Sequence, residues 1–142
     1  MAYLLDTNVA WRRIQLSDPR HSDVKSAIDA LVLAGEQVYI TAQNLVEFRA
    51  VATRPLSANG LGLTPAVATL KAQEIEALFD LLPETPGVYP QWRTLVDQYA
   101  VSGKQVHDTR LVAVMLVHGV THVLTMNGTD LRRFSEITVT EP

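Results

Sequence analysis

Short apolar runs alternate with segments of helical period along nearly the whole chain, and this alternation limits the fold more than any other feature. Ala2–Leu5 reads as a buried strand, followed at once by a helix over Thr7–Gln15 with Asp6 or Thr7 near its N-cap. Ser17-Asp18-Pro19 breaks that helix. Ser22–Ala34 carries Val24, Ala27, Ile28, Leu31 and Val32 at helical spacing, and Gly35 stops it. Val38–Ile40 is a second strand, and Thr41 opens a helix that runs to Thr53. Residues 54–64, "RPLSANGLGLT", form the one extended loop. Pro65 then starts a fourth helix, with Ala68, Ile75, Leu78 and Phe79 facing inward. Phe79–Leu82 gives a third strand. Helices over Pro90–Val101 and Val106–His118 flank Ser102-Gly103. Val120–Thr125 is a β-branched strand, Asp130–Phe134 a short helix and Ile137–Thr140 a last strand. Such alternation predicts an α/β fold with a mostly parallel sheet covered on both faces, built as a single domain over residues 1–142. In these folds a ligand binds outside the carboxyl ends of the strands.

Composition narrows the chemistry. The chain has no cysteine and four scattered histidines, so disulfides and thiolate metal sites are excluded, and a bound metal must be a hard cation held by oxygen. A net charge of −3 excludes a generic polycation. Nucleic acid would have to be met by a local basic patch or a bound cation. No leader pattern opens the sequence, and its longest apolar stretch, Leu111–Val117, is too short to span a bilayer, so a cytoplasmic location is expected.

Most of the 15 acidic residues lie in polar or turn contexts. Four have apolar company. Asp6 ends "YLLD", Glu47 is the only acid in "NLVEFRAV", Asp108 heads the apolar stripe of "HDTRLVAVMLVHG", and Asp130 follows the strand ending at Thr125 across "MNG". Each has an ordinary explanation alone: a helix cap, an exposed helix face, or a charge at a helix N-terminus. A parallel sheet can gather all four at one edge. Two carboxylates about 4 Å apart repel by roughly 4 kcal/mol at an effective dielectric near 20, which calls for separation, protonation or a divalent cation between them. Oxygen donors suit Mg²⁺ or Mn²⁺.

"LLDTN", then "NLVEFRAV", then "GKQVHDTRLVAVMLVHGVTHVLTMNGTDLRRF", in that order, resemble the PIN-domain family, and within it VapC-type ribonuclease toxins of toxin–antitoxin pairs. The resemblance runs from Tyr3 to Phe134. It implies a three-layer sandwich around a parallel sheet and a Mg²⁺- or Mn²⁺-dependent endoribonuclease. Asp6, Glu47 and Asp108 match the family's metal ligands. Asp130 matches a further commonly acidic position and counts with them as catalytic. Asn8 and Thr125 match polar residues of the same pocket. Asn127 stands where many members have aspartate; its amide oxygen can coordinate a metal but adds no charge. The reaction implied is in-line attack of a water, leaving a 5′-phosphate and a 3′-hydroxyl on a structured transfer or ribosomal RNA. A homodimer and a small inhibitory antitoxin are implied too.

Lys104, Arg12 and Arg49 are candidate substrate contacts, and seven arginines, Arg54 and Arg110 among them, could form a basic rim. His107, next to Asp108, points about 100° away from it on a helix. His118 is expected to meet the last carbonyls of its own helix. Two rivals stand beside the nuclease. One is a PIN fold that only binds RNA or a partner, which Asn127 favours. The other is a haloacid-dehalogenase-like phosphatase, which expects an aspartate where this chain has Asn8.

Overall fold

The computed structural model describes all residues, Met1–Pro142. Five strands form one sheet: β1 (Ala2–Leu5), β2 (Gln37–Thr41), β3 (Asp80–Leu82), β4 (His122–Leu124) and β5 (Thr138–Thr140), in the spatial order β3-β2-β1-β4-β5. All four pairings are parallel. The helices are α1 (Thr7–Arg12), α2 (His21–Leu33), α3 (Ala42–Thr53), α4 (Pro65–Leu78), α5 (Val88–Tyr99) and α6 (Gln105–Val117).

The period of two along a strand divides the core into two halves. Leu4 and Val123 point into one cluster, with α5 and α6; Leu5 and Leu124 point into the other, with α1 to α4. The result is a three-layer α/β sandwich, with helices on both faces of a parallel sheet. Both Leu4 and Leu5 are fully buried, which is why β1 reads as an unbroken apolar run. Helix α6 is buried nearly all round, with Leu111 to Met115 consecutively inaccessible, matching its apolar composition.

The sheet order locates the site. From β1 the chain moves outward through β2 to β3, then crosses to β4 and β5 on the other side. The direction reverses at β1 and β4, and their carboxyl ends open the crevice where α/β folds bind ligands. Asp6 and Thr125 are the first residues past those two strands.

Several local expectations differ from the structure. Helix α1 ends at Arg12 and not Gln15, because Arg13 and Ile14 turn back to α1 carbonyls. Leu78 is 49% exposed rather than inward, since α4 ends there and Ile75 makes its last full contact with the core. The segment after β4 is one 3-10 turn, Gly128–Asp130, in place of a helix over Asp130–Phe134. The 54–64 loop contains a 3-10 turn, Leu56–Ala58. The ring of His118 bonds the Pro83 carbonyl after β3 at 2.7 Å, not the end of its own helix.

Met115 joins α6 to the β4 side of the core and is inaccessible. Met115→Ala removes that packing and should cost about 2–5 kcal/mol. Urea unfolding would show this as a lower midpoint with an unchanged slope.

Candidate active site

Asp6 is both the residue after β1 and the N-cap of α1. Its backbone N–H donates to the Leu124 carbonyl at 2.9 Å, tying the end of β1 to the end of β4. Its Oδ1 accepts from the Thr7 backbone N–H at 2.8 Å, and its Oδ2 accepts from the Thr125 hydroxyl at 2.7 Å. One side chain thus caps α1 and ties itself to the residue after β4.

Glu47 lies one turn into α3 and is held from both sides. Thr7 Oγ1 donates to its Oε2 at 2.6 Å, and Gln43 Nε2 donates to its Oε1 at 2.8 Å. The Thr7 hydroxyl in turn accepts from Asn44 Nδ2 at 3.0 Å. Asn44 belongs to the capping box that starts α3: Thr41 Oγ1 takes the Asn44 N–H, and Asn44 Oδ1 takes the Thr41 N–H. Thr41 and Asn44 are buried, so this chain of hydrogen bonds runs from the end of β2 to the Glu47 carboxylate without solvent.

Asp108 lies in the first turn of α6, and its carboxylate accepts no hydrogen bond from the protein. Asp130 accepts from Asn127 Nδ2 at 3.2 Å and, at the limit of bonding distance, from Gln105 Nε2 at 3.5 Å. The Asn127 N–H reaches back to Thr125 Oγ1 at 3.1 Å. Asn127 is therefore a donor to Asp130, with its amide oxygen uncommitted.

All four carboxylates border one cavity of about 250 Å³, along with Thr7, Asn8, Val51, Arg54, Asn127 and Leu131. Thr125 holds Asp6 from behind it. Asn8 borders the cavity while its Oδ1 accepts from Trp11 Nε1 at 3.1 Å. The three basic residues expected to contact substrate are not brought to it. Arg12 stacks over Trp11 and pairs with Asp18 at 3.3 Å. Arg49 bonds the Thr69 hydroxyl on α4, and Lys104 is an exposed residue before α6. Arg110 is engaged by Glu84. Arg54 is the only cation that borders the cavity. His107 faces away, into a separate hollow with Tyr89 and Trp92.

The residues missed from sequence are Thr7, Gln43 and Asn44. The "DTN" and "TAQN" stretches hold them, but only the contact between the two helix starts reveals their joint role.

Crowding leaves an electrostatic mark. Burial pushes the Asp6 carboxyl above its ordinary value, with Glu47 and Asp130 adding to it, although bonds from Thr125 and Thr7 oppose the rise. Burial, then repulsion from Asp6, Glu47 and Asp130, pushes Asp108 up to about 6. The crowding that raises Asp6 and Asp108 would be relieved by a cation. Its all-oxygen donor set suits Mg²⁺ or Mn²⁺. No three acidic or histidine side chains stand close enough to close a metal cage unaided.

The PIN domain profile matches residues 3–137, and the chain belongs to that family. Membership sets aside the phosphatase reading. Ribonuclease VapC48 of Mycobacterium tuberculosis is 24% identical over 144 aligned residues, covering 100% of this chain and 98% of that protein. Among solved structures, VapBC2 from Rickettsia felis bound to a promoter DNA fragment superposes with a TM-score of 0.72 at 14% identity, over 100% of this chain and 99% of that one. DNA-bound VapBC from Salmonella typhimurium gives 0.71 at 14%, over 99% and 98% of the two chains. A toxin–antitoxin complex from Klebsiella pneumoniae gives 0.65 at 16%, over 96% and 95%. At these identities the likeness is one of fold.

The raised Asp108 carboxyl makes stability depend on pH. Between the unfolded value of 3.8 and about 6, the folded chain binds more protons than the unfolded one. Stability contributed by this group therefore falls as pH rises through that window, by about 1 kcal/mol after solvent screening of a part-exposed group. Asp108→Asn mimics the protonated form. In EDTA, its Tm should exceed wild type near neutral pH and converge with it near about pH 4; a gap constant across pH would contradict this origin.

Proposed function

We propose that this chain is a VapC-type endoribonuclease that hydrolyses RNA phosphodiester bonds with Mg²⁺ or Mn²⁺ and is neutralised by a cognate antitoxin. One observation carries the reading: four carboxylates from four separate segments border a single cavity at the point where the sheet order reverses. The name of the Mycobacterium tuberculosis relative supports ribonuclease activity, and the VapBC assemblies support an antitoxin partner. A homodimer and a transfer or ribosomal RNA substrate belong to the same proposal. No helix is long and apolar enough to cross a membrane.

Asp6, Glu47 and Asp108 would hold the cation, one or two of them directly and the rest through its waters, with Asp130 joining through water. When bound, it supplies positive charge to the phosphodiester and lowers the pKa of a coordinated water. The protein's own groups fix the arrangement. Thr125 and Thr7 orient both oxygens of Asp6, and Thr7 and Gln43 orient both oxygens of Glu47. Held in this way, these two carboxylates cannot swing apart to relieve their repulsion. Asp108, with no hydrogen bond to the protein, keeps both oxygens available and can take up a proton close to neutral pH when no cation is present. Asn127 holds Asp130 through its side-chain amide.

Cleavage of end-labelled total RNA tests this with Mg²⁺, Mn²⁺ or EDTA, wild type beside Asp6→Asn. Cutting should require a divalent cation and fall about 100-fold or more in the variant, because losing a ligand should cost at least as much as losing a ligand's hydrogen-bond partner. Cutting that persists in EDTA, or in Asp6→Asn, would refute the metal-site mechanism. Thr7→Val should impair cleavage while leaving RNA binding unchanged, because it releases Glu47 without removing a charge.

A further inference from the structure

Arg54 is the first residue after α3, and its backbone N–H donates to the Ala50 carbonyl at 3.2 Å. Its guanidinium makes no hydrogen bond and no ion pair, although it shares a cavity with four carboxylates. Arg12, Arg20, Arg110 and Arg132, by contrast, are each paired with an acid. An arginine present only to offset the acidic cluster would lie against one of its members.

The backbone that carries Arg54 is firmly held. Two main-chain bonds fold the 54–63 loop back on α3, Leu61 N–H to Val51 and Leu63 N–H to Ala52, and two close it on itself, Gly60 N–H to Pro55 and Gly62 N–H to Arg54, all at 2.9–3.0 Å. Asn59 takes the left-handed conformation that closes the turn, with φ of 60°. Gly60 is pressed so tightly on Arg54 that a Cβ there would lie 2.1 Å from the Arg54 carbonyl oxygen. Leu61 and Leu63 pack on the core beneath α3 and α4. Ten residues thus fix the Arg54 backbone and leave its charged head uncommitted beside the cavity.

We propose that Arg54 binds a phosphate of the RNA beside the acidic cavity and is the anion-binding part of the site. This deepens the ribonuclease reading and rests on it. A polyanion approaching four carboxylates meets repulsion at every phosphate. A planar guanidinium answers with two parallel hydrogen bonds to one phosphate, in a geometry that an ammonium group does not reproduce. Arg12 and Arg49 are engaged elsewhere, by Asp18 and Thr69.

The test uses the full chain and a labelled single-stranded RNA. Affinity is read by fluorescence anisotropy in EDTA across a salt series, and cleavage is read separately in Mn²⁺. Arg54→Ala should weaken binding roughly tenfold or more, as for loss of a charged hydrogen-bond pair. It should also flatten the salt slope by about 0.7, one phosphate contact to a single strand. Arg54→Lys should keep the slope and still bind several-fold more weakly. Arg93→Ala, an exposed arginine outside the cavity, should change neither. Equal Tm values for wild type and Arg54→Ala exclude misfolding. Wild-type affinity and slope in Arg54→Ala would overturn the proposal. If wild type binds RNA but cuts none in Mn²⁺, the ribonuclease reading fails and the binding comparison still decides the role of Arg54. If wild type binds no RNA, both fall.

Discussion

Four carboxylates that repel one another share one edge of the sheet, and much of the local structure exists to keep them there. The proximity is costly by the Coulomb scale of the pairs, so each group must be fixed by something stronger than its own preference. Threonines fix the two best-held carboxylates. Thr125 reaches Asp6 across the β1–β4 pairing, and Thr7 reaches Glu47 across the two helix starts. Behind Thr7 stands the Thr41–Asn44 capping box, so the start of α3 supports the site as well as the helix. Buried polar chains of this kind hold their geometry only when every member is satisfied, and each member of this one is.

The fold supplies the meeting point. With β1 in the middle of the sheet, the end of one strand adjoins the ends of two others, and helices α1, α3 and α6 all begin near that edge. The alternation of Leu4 and Leu5 into opposite cores pins the register of β1. A slip of one residue would reverse both and carry Asp6 away from Thr125. Packing on the two faces therefore sets the position of a charge at the edge.

The architecture was legible because its signals are local and strong. Apolar runs of strand length and a helix as apolar as α6 have few other uses. The carboxylates stood out for the same reason, as charges set against apolar neighbours. Their partners did not. Thr7, Gln43 and Asn44 are small polar residues near helix starts, where such residues are common for capping alone. Nothing local distinguishes the threonine that reaches a carboxylate 40 positions away. The positions of the arginines are hidden from the sequence for a related reason. Arg12 and Arg49 lie near acidic residues in sequence, but they bond Asp18 and Thr69 and do not line the cavity. Arg54 comes to it through a loop closure that no helical or strand period encodes.

Asn127 illustrates how the charge balance extends beyond the four acids. A carboxylate at that place would add a fifth negative group beside Asp130. The amide instead donates a hydrogen bond to Asp130 and anchors its own backbone to Thr125, the residue that orients Asp6. It thus replaces a repulsion with an attraction and links Asp130 to Asp6 through a single hydroxyl. On the ribonuclease reading, this lowers the pull on a second cation while preserving the position of the first. An amide here is then compatible with catalysis through one cation, and the cost of losing a charge falls on the outer part of the site. Arg54 bears on the same balance: on the ribonuclease reading, a phosphate approaching the four acids would meet the one guanidinium residue that borders the cavity.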